Sequence, residues 1–421
     1  MKFRNHYLIA GLLLKLLTRS VAVTPRFVTM ATSCPMPSSN AFKDITSCAK
    51  IMDDFTHNTK LDVLQDQPRR YLWTDAFAVC NFIQLYKDTG VKLHLDRAIS
   101  LVDQVHHTLG RFKSEIDSRL GWISGLDEET GKLHPTQGGL RIGKSMLERG
   151  SHESYDDELE WDRDGQYYHY ATKWMHALLC VSMITKDDKY VIWAEELVKG
   201  VHSKFVYKYG STLRMYWKMS IDLSRPQVRS MGHHDPLDGL ITYRAIKAAR
   251  PNADIDSEIS DLEKICEHKD WSTDDSLGLG SLLSDALRLM KIICVTEDLS
   301  GLPLLKKILE DSNKGLKSFA RRGLKGKAER RLAFRELGLA IGMSAVPLMQ
   351  SLIDGNQRIF NQDPSIQKLV TEMKQYMEQF NHDVITFWLD PKSQKFGSWT
   401  SHLDINMVML ATSLNSGGFL Q

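Results

Sequence analysis

Two kinds of helical pattern take turns along this chain. Stretches that are apolar on most faces and rich in small residues begin near residues 71, 165, 235, 278, 332 and 401. Stretches with one apolar stripe begin near 40, 93, 188, 255, 302 and 364. Within 93–112, for example, Leu95, Ile99, Val102 and Val105 recur at helical spacing and polar residues fill the other faces. Local signals support the boundaries. Thr89-Gly90 ends the first apolar helix, and Pro236 falls in a first turn, where its missing N–H is not needed. A helix that is apolar all round is buried, whereas one with a stripe lies at the outside. Six of each kind in alternation predict six helical hairpins, with an inner ring of helices wrapped by an outer ring. No sustained alternation of strands and helices is present, which argues against a Rossmann-type sheet.

Two stretches depart from the pattern. Residues 111–160 are rich in Gly, Ser, Thr and charge, and read as a long loop insertion with short strands; such excursions in ordered domains are commonly functional. Residues 211–231 alternate enough to predict a short β-hairpin. The helix pattern of roughly 40–415 resembles the (α/α)6 toroid of the six-hairpin glycosidase-like superfamily. The expected fold is therefore all-α, with one toroid domain over 39–421 preceded by an extension, 1–38.

That extension carries no acid as far as Lys43, and its apolar run Tyr7–Leu17 is too short to span a bilayer. Its basic character fits a cytoplasmic or organellar protein better than a secreted one. A signal peptide ending near Ala22 and a start at Met30 are the alternatives. The net charge of +2 carries no nucleic-acid footprint, and the basic cluster around Arg321–Arg331 reads as a solvated loop. The six cysteines lack metal-ligand spacing, and Cys80, Cys180 and Cys294 sit in apolar helices as small hydrophobes. No metal and no cofactor are expected. The pattern is silent on oligomeric state.

Polar residues collect where the inner helices begin. On a 3.6-residue period Asp162, Gln166, His169, Lys173 and His176 line one face of a helix within Trp161–Cys180, suited to the wall of a polar cavity. The first inner helix opens with Trp73 and Asp75, the third with His234, Asp235 and Asp238, the fifth with Arg335 and Glu336, and the sixth with Trp399, His402 and Asp404. Paired carboxylates beside aromatic rings suit glycoside hydrolysis, one protonating the leaving oxygen and the other serving as base or nucleophile. On that reading Asp164 and Asp235 are the acid–base pair, with Asp75 and Asp238 behind them. Trp73, Asp162, Gln166, Tyr168, His169, Lys173, Arg335, Glu336, Trp399 and Asp404 would contact a small or uronic sugar. Aspartate at a helix start is, however, more often a cap for free N–H groups than a catalyst. His234 and His402, expected opposite each other across the ring, supply a second chemistry: proton abstraction and return in a sugar epimerase or isomerase. This arrangement partly resembles the N-acylglucosamine 2-epimerase branch, although the His-Pro-Gly motif of that branch is not reproduced at 233–236. A non-catalytic sugar-binding toroid is the third reading. In all three the partner is a small carbohydrate, with no nucleic acid and no membrane span.

Overall fold

The computed structural model describes residues 43–63, 68–113, 117–150, 152–324 and 326–421. The expected extension 1–38 and Cys34 lie outside them. The helices that build the architecture are Ile45–Thr59 (α1), Leu72–Thr89 (α2), Lys92–Leu109 (α3), Tyr168–Thr185 (α4), Lys189–Phe205 (α5) and Asp235–Ala249 (α6). They continue as Asp256–Cys266 (α7), Ser276–Thr296 (α8), Leu302–Arg322 (α9), Ala333–Met343 (α10), Ala345–Gly355 (α11), Pro364–Leu389 (α12) and Leu403–Leu414 (α13).

The inner helices form a closed ring. α2 packs on α4, α4 on α6, α6 on α8, α8 on α10, α10 on α13, and α13 returns to α2. Outside them, α1 lies on α13 and α2, α3 on α2, α5 on α4 and α6, α7 on α6, α9 on α8, and α12 on α10 and α11. The chain is thus an all-α (α/α)6 toroid, and the inner and outer assignments follow the helix chemistry. Every side chain from Leu72 to Leu85 of α2 is buried, so no face of it is left for solvent. In α9 burial follows a stripe through Leu305, Ile308, Leu309, Leu316 and Phe319. The apolar stretch Ala333–Gly355 is long and apolar enough to cross a membrane, but it is mostly buried within the ring, as a core helix requires.

Close approach of α8 to α10 depends on missing side chains. A Cβ on Gly280 would overlap the Gly338 carbonyl, and one on Gly342 would overlap the Gly280 carbonyl. Small residues in inner helices thus bring backbones together where larger ones would widen the ring.

Three sequence expectations are corrected or sharpened. The helix expected over Trp161–Cys180 starts only at Tyr168; Asp157–Asp162 is a separate short helix and Gln166–Tyr167 is a strand (β1). Gly165, at φ 157°, is the break between them. The antiparallel hairpin expected over 211–231 is present, its strands at 218–219 and 226–228, and a second small sheet lies beside it. Val206–Tyr209 (β2) pairs with Thr212–Met215 (β3), while Lys218–Met219 (β4) joins β1 to Pro226–Val228 (β5). The 111–160 insertion contains, among its described residues, the short helix Glu128–Leu133 and an Arg111–Trp122 bridge rather than paired strands.

Gly280→Ala is expected to destabilise the fold by about 1–3 kcal/mol through overpacking. Gly355→Ala, where the added methyl meets nothing within 4 Å, should be neutral or slightly stabilising. Denaturant midpoints of the two variants check the contrast.

Candidate active site at the mouth of the toroid

The N-terminal ends of α2, α4 and α6 meet at one side of the ring. Tyr71 precedes α2, and its backbone N–H donates to Asp75 Oδ2 at 3.0 Å, so Asp75 satisfies the start of its own helix. Arg70 stands 3.7 Å from the other carboxylate oxygen. Burial pushes the Asp75 carboxyl up to about 6 despite that arginine. Trp73, in the first turn, faces His169 with ring centroids 5.9 Å apart. Tyr167 and Tyr170 lie 5.2 and 4.9 Å from the same imidazole. The Tyr71 and Tyr170 hydroxyls are 2.8 Å apart.

The imidazole at the centre of this aromatic cup has one polar neighbour. His169 Nδ1 is 3.4 Å from Asp235 Oδ2, within ion-pair reach but without hydrogen-bond geometry, and neither atom has a hydrogen-bond partner. The side chains are 25% and 12% exposed, so the pair is open to the mouth without being on the surface. Gly232 makes room for it, since a Cβ there would overlap the Asp235 carboxylate. A carboxylate at Nδ1 favours the tautomer that carries its proton there, leaving Nε2 with a lone pair for acid–base work.

Beneath the pair is a buried ionic cluster. Lys173 Nζ is 2.7 Å from Asp238 Oδ1, and Arg288 Nη1 is 3.1 Å from the same oxygen and 3.2 Å from Asp285 Oδ1. The Thr172 hydroxyl donates to Asp238 Oδ2, and Arg288 Nη2 donates to the Thr242 hydroxyl. Lys173 and Arg288 hold Asp238 well below the ordinary carboxylate range against the effect of burial. Burial and the Asp238 charge push Asp285 up to about 7. Lys173, Asp285 and Arg288, with Trp73, Ser284 and Phe419, line an axial cavity of ≈ 20 Å³, room for about one water.

Other expected site residues are engaged elsewhere. Asp164, the first-choice acid, is 1% exposed and pairs with Arg141 at 2.8 Å. It also accepts the backbone N–H groups of Gly143, Lys144 and Gly165, which uses up both oxygens. Gln166 clamps the insertion to the sheet through Leu140, Gly138 and Ile221. Asp162 is exposed at the end of its short helix. Tyr168 is fully buried against Phe205. Arg335 pairs with Asp275, the cap of α8, at 2.5 Å. Glu336 is held by Arg331 and Trp388, and Trp388 in turn stacks on Trp399. Asp404 reaches Arg69 at 3.6 Å. His402 is exposed beside Phe334, whereas His234 is turned towards the fourth repeat, where its Nε2–H donates to the Trp271 carbonyl at 2.8 Å.

The structure also assembles groups that the pattern did not join. Asp285 and Arg288 lie three residues apart inside the apolar α8, and buried charges at that spacing were the available signal. Cys80, His176 and Cys180 converge midway along α2 and α4, against the expectation that the cysteines lack metal-ligand spacing. His176 and Cys180 are four apart on one helix face; Cys80 comes from a different repeat, so only the fold joins it to them.

No protein-family model matches the chain, and no curated protein matches it. Among solved structures, the chain is similar in course to a cellobiose 2-epimerase from Bacillus thermoamylovorans B4167, with 10% identity and a TM-score of 0.43 over 80% of this chain and 87% of that one. It is also similar to a sugar epimerase from a ruminal bacterium, with 11% identity and a TM-score of 0.44 over 80% of this chain and 86% of that one. At this level of likeness neither assigns an activity.

Asp238→Ala would leave Lys173 and Arg288 buried with too little counter-charge, and a loss of about 3–5 kcal/mol in unfolding free energy is expected. Because Asp285 titrates higher in the folded chain than in the unfolded one, its contribution to stability is greatest at low pH and is lost as pH rises towards about 7. Asp285→Asn should flatten that part of the stability–pH curve, read from denaturant midpoints at several pH values.

Proposed function

We propose that this protein is a carbohydrate-active enzyme that moves a proton on a small sugar, as a sugar epimerase or isomerase, with His169 as the base and Asp235 orienting it. The observation that carries the reading is the His169–Asp235 pair, whose facing nitrogen and oxygen stand 3.4 Å apart with no hydrogen-bond partner, set in a cup of Trp73, Tyr167 and Tyr170. Asp235 on Nδ1 leaves Nε2 free to take a proton from the carbon next to a sugar carbonyl, and the resulting imidazolium is stabilised by the carboxylate. The aromatic rings offer flat apolar faces to the C–H side of a sugar. With space for about one water along the axis, the sugar ring rests above the ionic cluster rather than inside it.

Hydrolysis by paired carboxylates fits these side chains less well. Such chemistry needs two carboxyl groups facing one open site. Asp164 and Asp238 are buried in ion pairs, and Asp75 is turned to its own helix start. Asp235 keeps a carboxylate oxygen without a hydrogen bond beside His169.

Incubation with unprotected aldoses, ketoses, N-acylated sugars and disaccharides in deuterated water tests the reading, with deuterium at the carbon next to the carbonyl measured by NMR. His169→Gln should lower exchange by about 10²–10⁴-fold with an unchanged melting temperature. Asp235→Asn should lower kcat and shift the pH profile. Release of free sugar from a glycoside by both wild type and His169→Gln, without deuterium uptake, would instead select hydrolysis.

A further inference from the structure

Midway along α2 and α4, one turn beyond Lys173, lies a second set of chemical groups. Cys80 belongs to α2, and His176 and Cys180 to one face of α4. Their ligand atoms all lie within 4.8 Å of one another, and Cys180 Sγ is 3.7 Å from His176 Nε2. None of the three residues is more than 4% exposed. Two backbone carbonyls of the segment after α13 close over them. Phe419 O accepts from His176 Nε2 at 2.8 Å, and Gly418 O lies 3.7 Å from Cys180 Sγ. Gly418 allows this approach, because a Cβ there would overlap the Cys80 carbonyl. Phe419 stacks on Phe77 at 4.4 Å, which fixes the segment in place.

We propose that Cys80, His176 and Cys180 form a structural metal site for one zinc ion, completed by the Phe419 carbonyl oxygen. In a tetrahedral site with Zn–S of about 2.3 Å and Zn–N of about 2.0–2.1 Å, sulfur and nitrogen ligands stand about 3.6 Å apart. The His176–Cys180 separation already has nearly that value, so binding needs small side-chain shifts and no helix movement. Two thiolates and an imidazole favour zinc over magnesium or calcium, which prefer oxygen ligands. On binding, both thiol protons leave to solvent. The His176 proton that now points at Phe419 moves to Nδ1, which frees the Nε2 lone pair and the carbonyl oxygen for the ion. Two thiolates balance the ion's charge, so a neutral centre is buried. The ion ties α2, α4 and the final segment together beneath the ionic cluster, which makes its binding energy part of the folding energy.

The test uses the full chain, produced with zinc and passed through gel filtration into metal-free buffer. The expected result is about one zinc per chain by mass spectrometry of the metal, and a chelator-dependent fall in melting temperature. Cys80→Ser and Cys180→Ser should lower zinc affinity at least about tenfold, while Cys266→Ser on α7 should retain it. Should either variant fail to fold, cobalt loading of the wild type decides. A sulfur-to-cobalt charge-transfer band supports the site; its absence overturns it. The proposal is also overturned if the wild type retains no zinc, or if Cys180→Ser retains as much as the wild type.

Discussion

The arrangement of the inner ring depends most on the Asp238 carboxylate. Lys173 from α4 and Arg288 from α8 both reach one of its oxygens, so one residue of α6 links three consecutive inner helices. Burying such charges costs several kcal/mol per ion and is tolerable only with close pairing and further hydrogen bonds. The Thr172 and Thr242 hydroxyls supply part of that support. Because an unpaired charge there is so unfavourable, each helix has one acceptable rotation about its own axis.

The same constraint reaches the mouth through helix geometry. His169 lies four residues before Lys173, and Asp235 three residues before Asp238. Residues at those spacings share a helix face. Turning α4 and α6 so that Lys173 meets Asp238 therefore also turns His169 towards Asp235, one turn higher. The ion pair below and the histidine–carboxylate pair above are successive rungs of one contact between two helices. The lower rung is buried, with both Asp238 oxygens paired; the upper is partly open, and its facing atoms make no hydrogen bond. That difference in surroundings separates a group that holds the ring together from one that is free to exchange a proton.

The ring itself was legible because burial leaves a direct trace in composition. Helices such as α2, enclosed on all sides, have almost no polar face, and the stripe of α9 marks an outer helix. The observed starts, at 72, 168, 235, 276, 333 and 403 for the inner set, fall within a few residues of those expected. The site was legible only in outline. Asp164, Asp235 and Asp238 look alike as aspartates near helix starts, and their difference comes from partners distant in sequence, such as Arg141 or Arg288. His169 was picked out by periodicity, but its pairing with Asp235 across 66 positions needs the packing of α4 on α6. The hairpin over 211–231 was legible, but its third strand, β1, was not, because the helical period had absorbed it.

The ring is supported at two levels. At the mouth, inner-helix N-termini expose N–H groups, and the chain answers with side-chain acceptors such as Asp75 and with aromatic rings. Lower down, the segment after α13 folds back into the ring, where Gly417, Gly418 and Phe419 pack against Gln84, Cys80 and Phe77 of α2. Half-buried Lys291 donates to the Leu420 carbonyl, and His176 donates to that of Phe419. One short segment thus joins α2, α4 and α8, and its Phe419 lines the same cavity as Lys173, Asp285 and Arg288. The packing that sets Lys173 on Asp238, and hence His169 beside Asp235, is therefore braced from below as well as by the ion pairs themselves.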